Sequence, residues 1–284
     1  MLGDFEYVRP RTIEDACKLL LDGGGEALAY AGGTDLLVDI RNGLRAPKIL
    51  VDLKKIGELD RLETRNGDGT VIGTAVPLNR IAEDAKLRTR LPALSEAALT
   101  IATYQLRNRA TIGGNLCNAS PASDSIPPLL VVGATLHVEG VDGPRNVPLD
   151  GFCTGVKKTC LKMGEIVTGI RIPPLEEESR TAFLKQQRIR GHDLAVVNLA
   201  GALSPSEGSL RIAIGSCNPT PLLLDPIETG SHSLDALADE AARMAEAAIA
   251  PISDVRASAE YRRAIVPVLV RRLVAKLMDG KEGA

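Results

Sequence analysis

The sequence predicts an α/β fold for roughly its first 175 residues and a smaller α+β unit after them. In the first part, short apolar segments that favour strands alternate with segments of helical periodicity, which is the pattern of α/β domains. In the last third, strand-like segments come first and two long helical segments follow, an order typical of α+β domains. Between the two parts, a double proline precedes a charged, apolar-poor stretch, which predicts a boundary near residues 173–180.

The first helix and the first glycine turn are marked by their end signals. Thr12 and Asp15 fit a capping box, and apolar residues recur on one face of the segment that follows. Three glycines at 23–25 are expected to end this helix. The next segment, ALAYAGGTDLLVDIRNG, predicts a strand, a glycine turn and a short helix.

Strand and helix signals continue to alternate through the middle of the chain. The sequence NGDG at Asn66–Gly69 favours a hairpin turn between two of the strands. The predicted strands are KILVDL, GTVIGTAV, ATLHVEG and RNVPLDGF. The predicted helices are LNRIAEDAKLRTR and LPALSEAALTIATYQLRN, and the apolar run PPLLVVGATL is expected to lie in the core.

The C-terminal part predicts a small antiparallel sheet followed by two helices. The sheet is expected from TAFLKQQRIRGHDLAVVNLAGAL and SLRIAIGSC, and the helices from SLDALADEAARMAEAAIAP and SAEYRRAIVPVLVRRLVAKLMDG. In the last helix, apolar residues recur every fourth position at Ile265, Leu269, Leu273 and Leu277. Arg263, Arg271 and Arg272 fall outside this stripe, as in an amphipathic helix.

Composition excludes several classes of function. Lys plus Arg (34) nearly balances Asp plus Glu (36) and only 2% of residues are aromatic, so we expect no nucleic-acid partner. No apolar run is long enough to span a membrane, and the first residues carry no apolar signal segment. The five cysteines are scattered without a CxxC pair, so we expect no disulfide framework, no metal site and a reducing, cytoplasmic setting.

Two glycine pairs carry the chemistry that the sequence suggests. They lie in AYAGGTDLL (29–37) and RATIGGNLCNASPASDS (109–125); each is predicted to follow an apolar strand and is followed by short polar residues. Adjacent glycines let main-chain amides converge on an anion and let the chain approach a ligand closely, so two such turns would suit a pyrophosphate. Each pair could equally be a simple tight turn, and neither matches a Rossmann or P-loop motif. Asp124 is the best acidic candidate for ligand hydroxyl groups.

These glycine segments, together with FEYVRPRTIEDACKLL, EIVTGIRIP and SAEYRRAIVPVLVRRL, resemble the FAD-binding (medium) subunit of the xanthine dehydrogenase and aerobic carbon monoxide dehydrogenase family of molybdenum hydroxylases. The resemblance covers nearly the whole chain. It implies a PCMH-type FAD-binding domain at residues 1–175, made of two α/β subdomains at about 1–57 and 58–175. It also implies a C-terminal domain of the carbon monoxide dehydrogenase flavoprotein type at residues 180–284.

The resemblance implies a FAD site but no catalytic residue and no metal site in this chain. Asp124 matches a residue on the adenosine side of the cofactor, and Val167 a position near the adenine or the flavin. Lys185 matches a lysine that contacts FAD in some members, although a solvated lysine on a strand is an equally good interpretation. Ile101 stands where some members have an aromatic residue, and Leu194 is the counterpart of an aromatic residue at the flavin ring. The remaining implied residues wrap the pyrophosphate and ribityl chain through main-chain amides: Ala29, Tyr30, Ala31, Gly32, Gly33, Thr34, Asp35, Leu36, Thr111, Ile112, Gly113, Gly114 and Asn115.

The family implies a role in electron transfer within a larger complex. FAD in this chain would collect electrons from two [2Fe–2S] clusters of a small subunit and deliver them to a terminal acceptor. A large subunit with the molybdenum cofactor would act on the substrate, and the assembly would be a dimer of heterotrimers. Two alternatives stay open: a self-sufficient FAD-dependent reductase, and a flavin-free scaffold subunit.

Overall fold

The computed structural model describes residues 3–65, 67–230 and 233–279. Its first region is a three-stranded parallel sheet in the order β1-β3-β2, flanked by two helices. Thr12 caps the first helix, because its hydroxyl oxygen accepts a hydrogen bond from the amide of Asp15 at 3.1 Å. The elements are β1 (Glu6–Val8), α1 (Ile13–Asp22), β2 (Ala27–Tyr30), α2 (Leu36–Arg41) and β3 (Ile49–Asp52), with 3₁₀ turns at Gly24–Glu26, Leu53–Lys55 and Gly57–Asp60.

The second region is a five-stranded antiparallel sheet in the order β4-β5-β10-β6-β7, covered by short helices. Of the predicted NGDG turn, Asn66 lies outside the described residues, while the strands on either side pair antiparallel. The strands of this sheet are β4 (Leu62–Arg65), β5 (Gly69–Gly73), β6 (Thr135–Gly140), β7 (Gly143–Pro148) and β10 (Ile166–Ile172), and a separate two-stranded hairpin is formed by β8 (Cys153–Gly155) and β9 (Lys158–Thr159). The helices are α3 (Leu78–Glu83), α4 (Ala85–Arg90), α5 (Pro92–Thr100), α6 (Tyr104–Arg107), α7 (Ile112–Cys117) and α8 (Ile126–Val131).

Two helices that the sequence predicts as continuous are broken. Asp84 adopts an extended conformation between α3 and α4, and its carboxylate accepts the amide proton of Leu87 at 2.9 Å. Ala102 has a left-handed φ of +47°, and Thr103 then caps α6. In both places a capping side chain competes with helix continuation, which local hydrogen bonding by Asp and Thr makes favourable.

The second glycine pair also lies in a different element from the one predicted. It is not a turn after a strand, because Gly113 and Gly114 lie inside the six-residue helix α7, which follows α6 closely. The first pair does follow a strand: the turn begins directly after Tyr30, at the carboxyl end of β2. Ligands of parallel α/β sheets bind outside this end of the strands.

The third region is an antiparallel sheet followed by two helices, as the sequence predicts, and both helices pack on one face of the sheet. Its sheet order is β11-β12-β13-β14, with β15 paired to β13. Leu273 and Leu277 of the last helix press on Gly201, where a Cβ would lie 2.7 Å from Leu277 Cδ1. Leu269 is also buried and Ile265 is half-buried. The elements are β11 (Arg180–Gln186), β12 (Val197–Ser204), β13 (Ser209–Gly215), β14 (Leu222–Leu223), β15 (Ile227–Glu228), α9 (Leu234–Ala248) and α10 (Ala259–Asp279).

The helices α5 and α8 join the second region to the third. Phe183, Ala200 and Ala213 of the third sheet belong to the same buried cluster as the apolar run Ile126–Val131. The segment that precedes α8 is therefore held between two sheets. No helix of the described residues is long and apolar enough to cross a membrane.

Candidate functional site

A cleft of about 920 Å³ opens at the carboxyl end of the first sheet, between helix α7, strand β10 and strand β11. Its volume lies toward the upper end of the range for ligand pockets, roughly 300–1,000 Å³. Two of the residues predicted for a cofactor do not line it: Ile112 is fully buried in the core, and the Tyr30 side chain packs beneath the glycine turn. The others all line it: Ala29, Ala31, Gly32, Gly33, Thr34, Asp35, Leu36, Ile101, Thr111, Gly113, Gly114, Asn115, Asp124, Val167 and Lys185.

The structure brings the two glycine segments into contact. We call residues 31–35 the first glycine loop and residues 111–115 the second glycine segment. A Cβ on Gly32 would lie 2.1 Å from the carbonyl oxygen of Arg109, so only glycine allows this approach. Across the same junction, Asn118 donates a hydrogen bond from Nδ2 to Oδ1 of Asp35 at 3.0 Å.

The first glycine loop presents main-chain donors without protein acceptors. Gly33 has a φ of +73°, which reverses the chain and favours glycine. Within the described residues, the amides of Gly32, Gly33, Thr34 and Asp35 donate no hydrogen bond to the protein. Successive unpaired amides around a left-handed residue form a concavity suited to an anion.

The second glycine segment differs, and here the expectation of free amides is wrong. The amide of Gly113 donates to the carbonyl of Thr74 at 3.0 Å, and that of Gly114 donates to Thr111 Oγ1 at 3.1 Å. The amide of Ile112 donates to the carbonyl of Val76, and the amide of Asn115 donates to the carbonyl of Thr111, each at 3.0 Å. The reason is the fold: this segment is a capped helix packed on the turn after β5, so its own secondary structure uses the donors.

A buried charge cluster supports the first glycine loop from below. Asp52, which is only 2% exposed, accepts hydrogen bonds from Lys54 Nζ at 2.6 Å and from the Tyr7 hydroxyl. Lys54 Nζ also donates to the Ala31 carbonyl at 2.9 Å and lies 3.9 Å from the centre of the Tyr30 ring. Although burial opposes it, hydrogen bonds from Lys54 and Tyr7 lower the pKa of Asp52; burial in turn lowers the pKa of Lys54.

A second buried ion pair closes the opposite side of the cleft. Lys185 Nζ lies 2.7 Å from Asp124 Oδ2, and the two side chains are 5% and 7% exposed. Asn198 Nδ2 donates to Asp124 Oδ1 at 2.6 Å, and Lys185 Nζ also donates to the Thr100 carbonyl at 3.1 Å. Burial raises the pKa of Asp124, and the charge of Lys185 opposes that shift. Lys185 is therefore not a solvated lysine: it ties strand β11 to the segment before α8.

Two polar residues at the cleft entrance were not predicted as site residues. Lys157, at the tip of the β8–β9 hairpin, donates from Nζ to Asn118 Oδ1 at 2.5 Å, and Asn118 in turn donates to Asp35. Both Asn118 and Lys157 line the cleft. Lys157 lies about forty residues from Asn118 in the chain, and no periodicity or motif indicates that the hairpin folds back onto this loop.

The remaining walls supply apolar surface and little proton-transfer chemistry. Val167 is 2% exposed, whereas Leu194 is 62% exposed beside the accessible His192. Arg188 Nε donates to Asp193 Oδ2 at 3.0 Å, and this hydrogen bond lowers the pKa of Asp193. Within the described part of the chain, no three His, Cys, Asp or Glu side chains are placed to hold a metal ion.

Two family models match this chain, one over the first two regions and one over most of the third. Residues 3–175 match the model of the FAD binding domain in molybdopterin dehydrogenase. Residues 182–277 match the model of the CO dehydrogenase flavoprotein C-terminal domain. Together the two matches span the three sheets described above.

Relatives and solved structures agree with these matches over nearly the full chain. The carbon monoxide dehydrogenase medium chain of Afipia carboxidovorans is 35% identical over 280 residues, covering 96% of each chain. A putative xanthine dehydrogenase FAD-binding subunit of Escherichia coli K12 is 30% identical over 284 residues, covering 98% of this chain and 97% of the relative. A carbon monoxide dehydrogenase structure from Hydrogenophaga pseudoflava aligns with a TM-score of 0.92 at 32% identity, covering 98% of this chain and 99% of that one. The chain thus belongs to the family of FAD-binding subunits of the molybdenum hydroxylases, a family of oxidoreductases.

Proposed function

We propose that this chain binds FAD in the cleft, receives electrons there from the [2Fe–2S] clusters of a small partner subunit, and passes them to a terminal acceptor. Bound FAD would supply the ability to take up electrons singly and release them as a pair. The residues of this chain bind, orient and shield the cofactor. One observation carries the proposal: residues 32–35 of the first glycine loop line a large cleft, and their amides have no acceptor in the described protein.

The volume of the cleft and its unpaired amides suit a dinucleotide. The pyrophosphate would lie against the amides of residues 32–35, in the concavity that the left-handed Gly33 creates. The second glycine segment would serve as a wall, because its amides are already bonded and Gly114 leaves open space on the cleft side. Lys157 adds positive charge at the entrance, which favours a ligand with two phosphates.

We propose the other contacts from the residues that line the rest of the cleft. Asp124 would accept from ribose hydroxyls through the remaining lone pairs of its carboxylate, since each oxygen has one protein partner from the third sheet. Val167 and Ile101 would pack against planar ring surface. Leu194, exposed at the entrance, would cover the ring system where some relatives have an aromatic side chain.

We further propose how the chain is organised and assembled. The FAD-binding domain would comprise residues 1–175, with subdomains at about 1–57 and 58–175, and the C-terminal domain residues 180–284. The chain would function in the cytoplasm as the medium subunit of a complex with a large molybdenum-cofactor subunit and a small iron–sulfur subunit. A dimer of heterotrimers would be the complete assembly.

The location of the cofactor is tested by adding a side chain where the fold has room for it. A Cβ on Gly114 would meet only Thr111 Oγ1, at 3.1 Å, so Gly114→Leu should fold and fill the cleft. We expect the purified variant to lose bound FAD, measured by flavin absorbance and by identification of the released flavin. The matched control is Gly57→Leu, since Gly57 is exposed and its Cβ would meet nothing within 4 Å.

Three results would contradict the proposal. Full FAD content in Gly114→Leu would place the cofactor elsewhere. A wild-type complex that carries its partner subunits but no flavin would favour the scaffold alternative. Substrate turnover by the isolated chain with FAD alone would favour a self-sufficient reductase.

A further inference from the structure

We infer that Lys54 is a positioning residue of the cofactor site: it orients and polarises the Ala31–Gly32 peptide so that the Gly32 amide donates to the diphosphate of the ligand. The inference rests on the proposed placement of FAD and adds a residue outside the cleft lining. It starts from an observation that the binding proposal leaves unexplained. A lysine lies half-buried beneath the first glycine loop, where its side chain is 27% exposed.

The contacts of Lys54 fix the direction of one peptide plane. Its ammonium group donates to the Ala31 carbonyl at 2.9 Å and to Asp52 Oδ1 at 2.6 Å. The carbonyl and amide of a trans peptide unit point in opposite directions. With the Ala31 carbonyl turned down toward Lys54, the amide of Gly32 is turned away from it, toward the cleft that Gly32 lines.

The charge of Lys54 also changes the strength of that amide as a donor. A cation at the carbonyl oxygen draws electron density along the peptide group, and linked hydrogen bonds of this kind strengthen one another. The direct field of the ammonium on a ligand is small, because Asp52 lies in contact with it. Lys54 therefore acts through the peptide unit.

The surroundings keep Lys54 in this one position. The Tyr30 ring lies 3.9 Å from its ammonium, and the same ring lies under Gly33, where a Cβ would be 2.3 Å from Cε2. Asp52 is anchored from the other side by the Tyr7 hydroxyl and by Arg9 at 3.8 Å. The loop, the ring and the ion pair form a single packed unit.

The experiment compares four substitutions in the full chain after removal of flavin. FAD is titrated back into wild type, Lys54→Met, Lys54→Gln, Lys54→Arg and Lys55→Met, and the dissociation constant is measured by flavin fluorescence. Lys55 is the matched control, because it is the adjacent residue and is exposed. We expect Lys54→Met and Lys54→Gln to weaken FAD at least tenfold, Lys54→Arg to recover most of the affinity, and Lys55→Met to change it less than twofold.

Two further measurements distinguish a local effect of Lys54 on the diphosphate contact from a general loss of structure in the cleft. ADP carries the diphosphate without the flavin, so its inhibition constant as a competitor should rise by the same factor as the dissociation constant of FAD. The ³¹P resonances of bound FAD should shift in Lys54→Gln and stay unchanged in Lys55→Met. A larger loss for FAD than for ADP would mean that the whole cleft had loosened, which contradicts the inference.

The outcomes distinguish this inference from the proposed function. If Gly114→Leu loses FAD while Lys54→Gln binds it as wild type does, the cofactor site stands and the role of Lys54 is wrong. If Gly114→Leu retains FAD, the placement of the cofactor fails and the inference fails with it. If Lys54→Met does not fold, Lys54→Gln and Lys54→Arg decide, because both keep a polar side chain beside Asp52 and only arginine keeps the positive charge and the length of lysine.

Discussion

The two glycine pairs of this protein have the same composition and opposite uses. The first loop, residues 31–35, turns through a left-handed Gly33 and leaves its amides without protein acceptors. The second segment, residues 111–115, is helical, and the amides of its last four residues are all bonded to the protein. In the first case glycine allows close contact with Arg109 and the Tyr30 ring while the amides stay unbonded, and in the second it allows helix packing on Thr74, so the dipeptide alone does not define an anion site.

The largest effect should come from Gly113, where glycine is required by packing. A Cβ there would lie 1.5 Å from Thr74 Oγ1, so Gly113→Ala must displace either α7 or the turn after β5. We expect it to destabilise the protein by about 3 kcal/mol and to abolish FAD binding.

The control for Gly113→Ala is its neighbour. Gly114→Ala should change the free energy of unfolding by less than about 1 kcal/mol, because the added methyl would meet only Thr111 Oγ1, at 3.1 Å, and alanine favours the helix. Urea denaturation of both variants measures the difference. Equal stability of the two would show that α7 can shift at no cost, against the packing argument.

Substitution of the threonine in each glycine segment should have a smaller effect on stability, and the effect should differ between the two segments. Thr111 accepts the Gly114 amide at the helix start, so Thr111→Val should cost about 1 kcal/mol and Thr111→Ser should restore it. Thr34 makes no hydrogen bond to the described protein, so Thr34→Val should stay within about 0.5 kcal/mol of wild type. Denaturation midpoints measure these changes. A loss of stability in Thr34→Val as large as that in Thr111→Val would contradict the conclusion that the first loop makes no such hydrogen bonds while the second segment does.

The smallest effect should be a pH dependence of the free energy of unfolding, which arises from the Asp52 carboxylate beneath the first glycine loop. Its pKa is lowered in the folded protein by Lys54 and Tyr7, with Arg9 also nearby. A lowered pKa means that the stabilisation is fully present above the unfolded-state value, about 3.9, and is lost as the pH falls through the folded-state pKa.

The comparison of wild type with Asp52→Asn isolates this contribution. Wild type should be the more stable protein at pH 7, and the gap should narrow as the pH is lowered from about 5 toward 3.5. Urea unfolding at several pH values measures the gap. If the difference in free energy of unfolding between wild type and Asp52→Asn is the same at every pH, the charge of Asp52 contributes nothing to stability.

The sequence determined most of the elements, because their signals are local. The Thr12 cap, the turn after β2, the antiparallel third sheet and the leucine stripe of α10 depend on residues a few positions apart. The cleft lining was also largely predictable, because its residues follow one another in two short segments with a family-like pattern. The breaks at Asp84 and Ala102 were missed, because they depend on a balance between capping and helix propensity that a periodic pattern does not register.

Only the tertiary structure decided which donors remain free. Whether the amide of Gly113 is available depends on the carbonyl of Thr74, and whether Lys185 is solvated depends on Asp124, sixty-one positions away. Lys54 and Lys157 reach the site through contacts that have no sequence signature. Hydrogen bonds are satisfied by whatever group the fold brings within about 3 Å, and that proximity is set by the packing of sheets and helices.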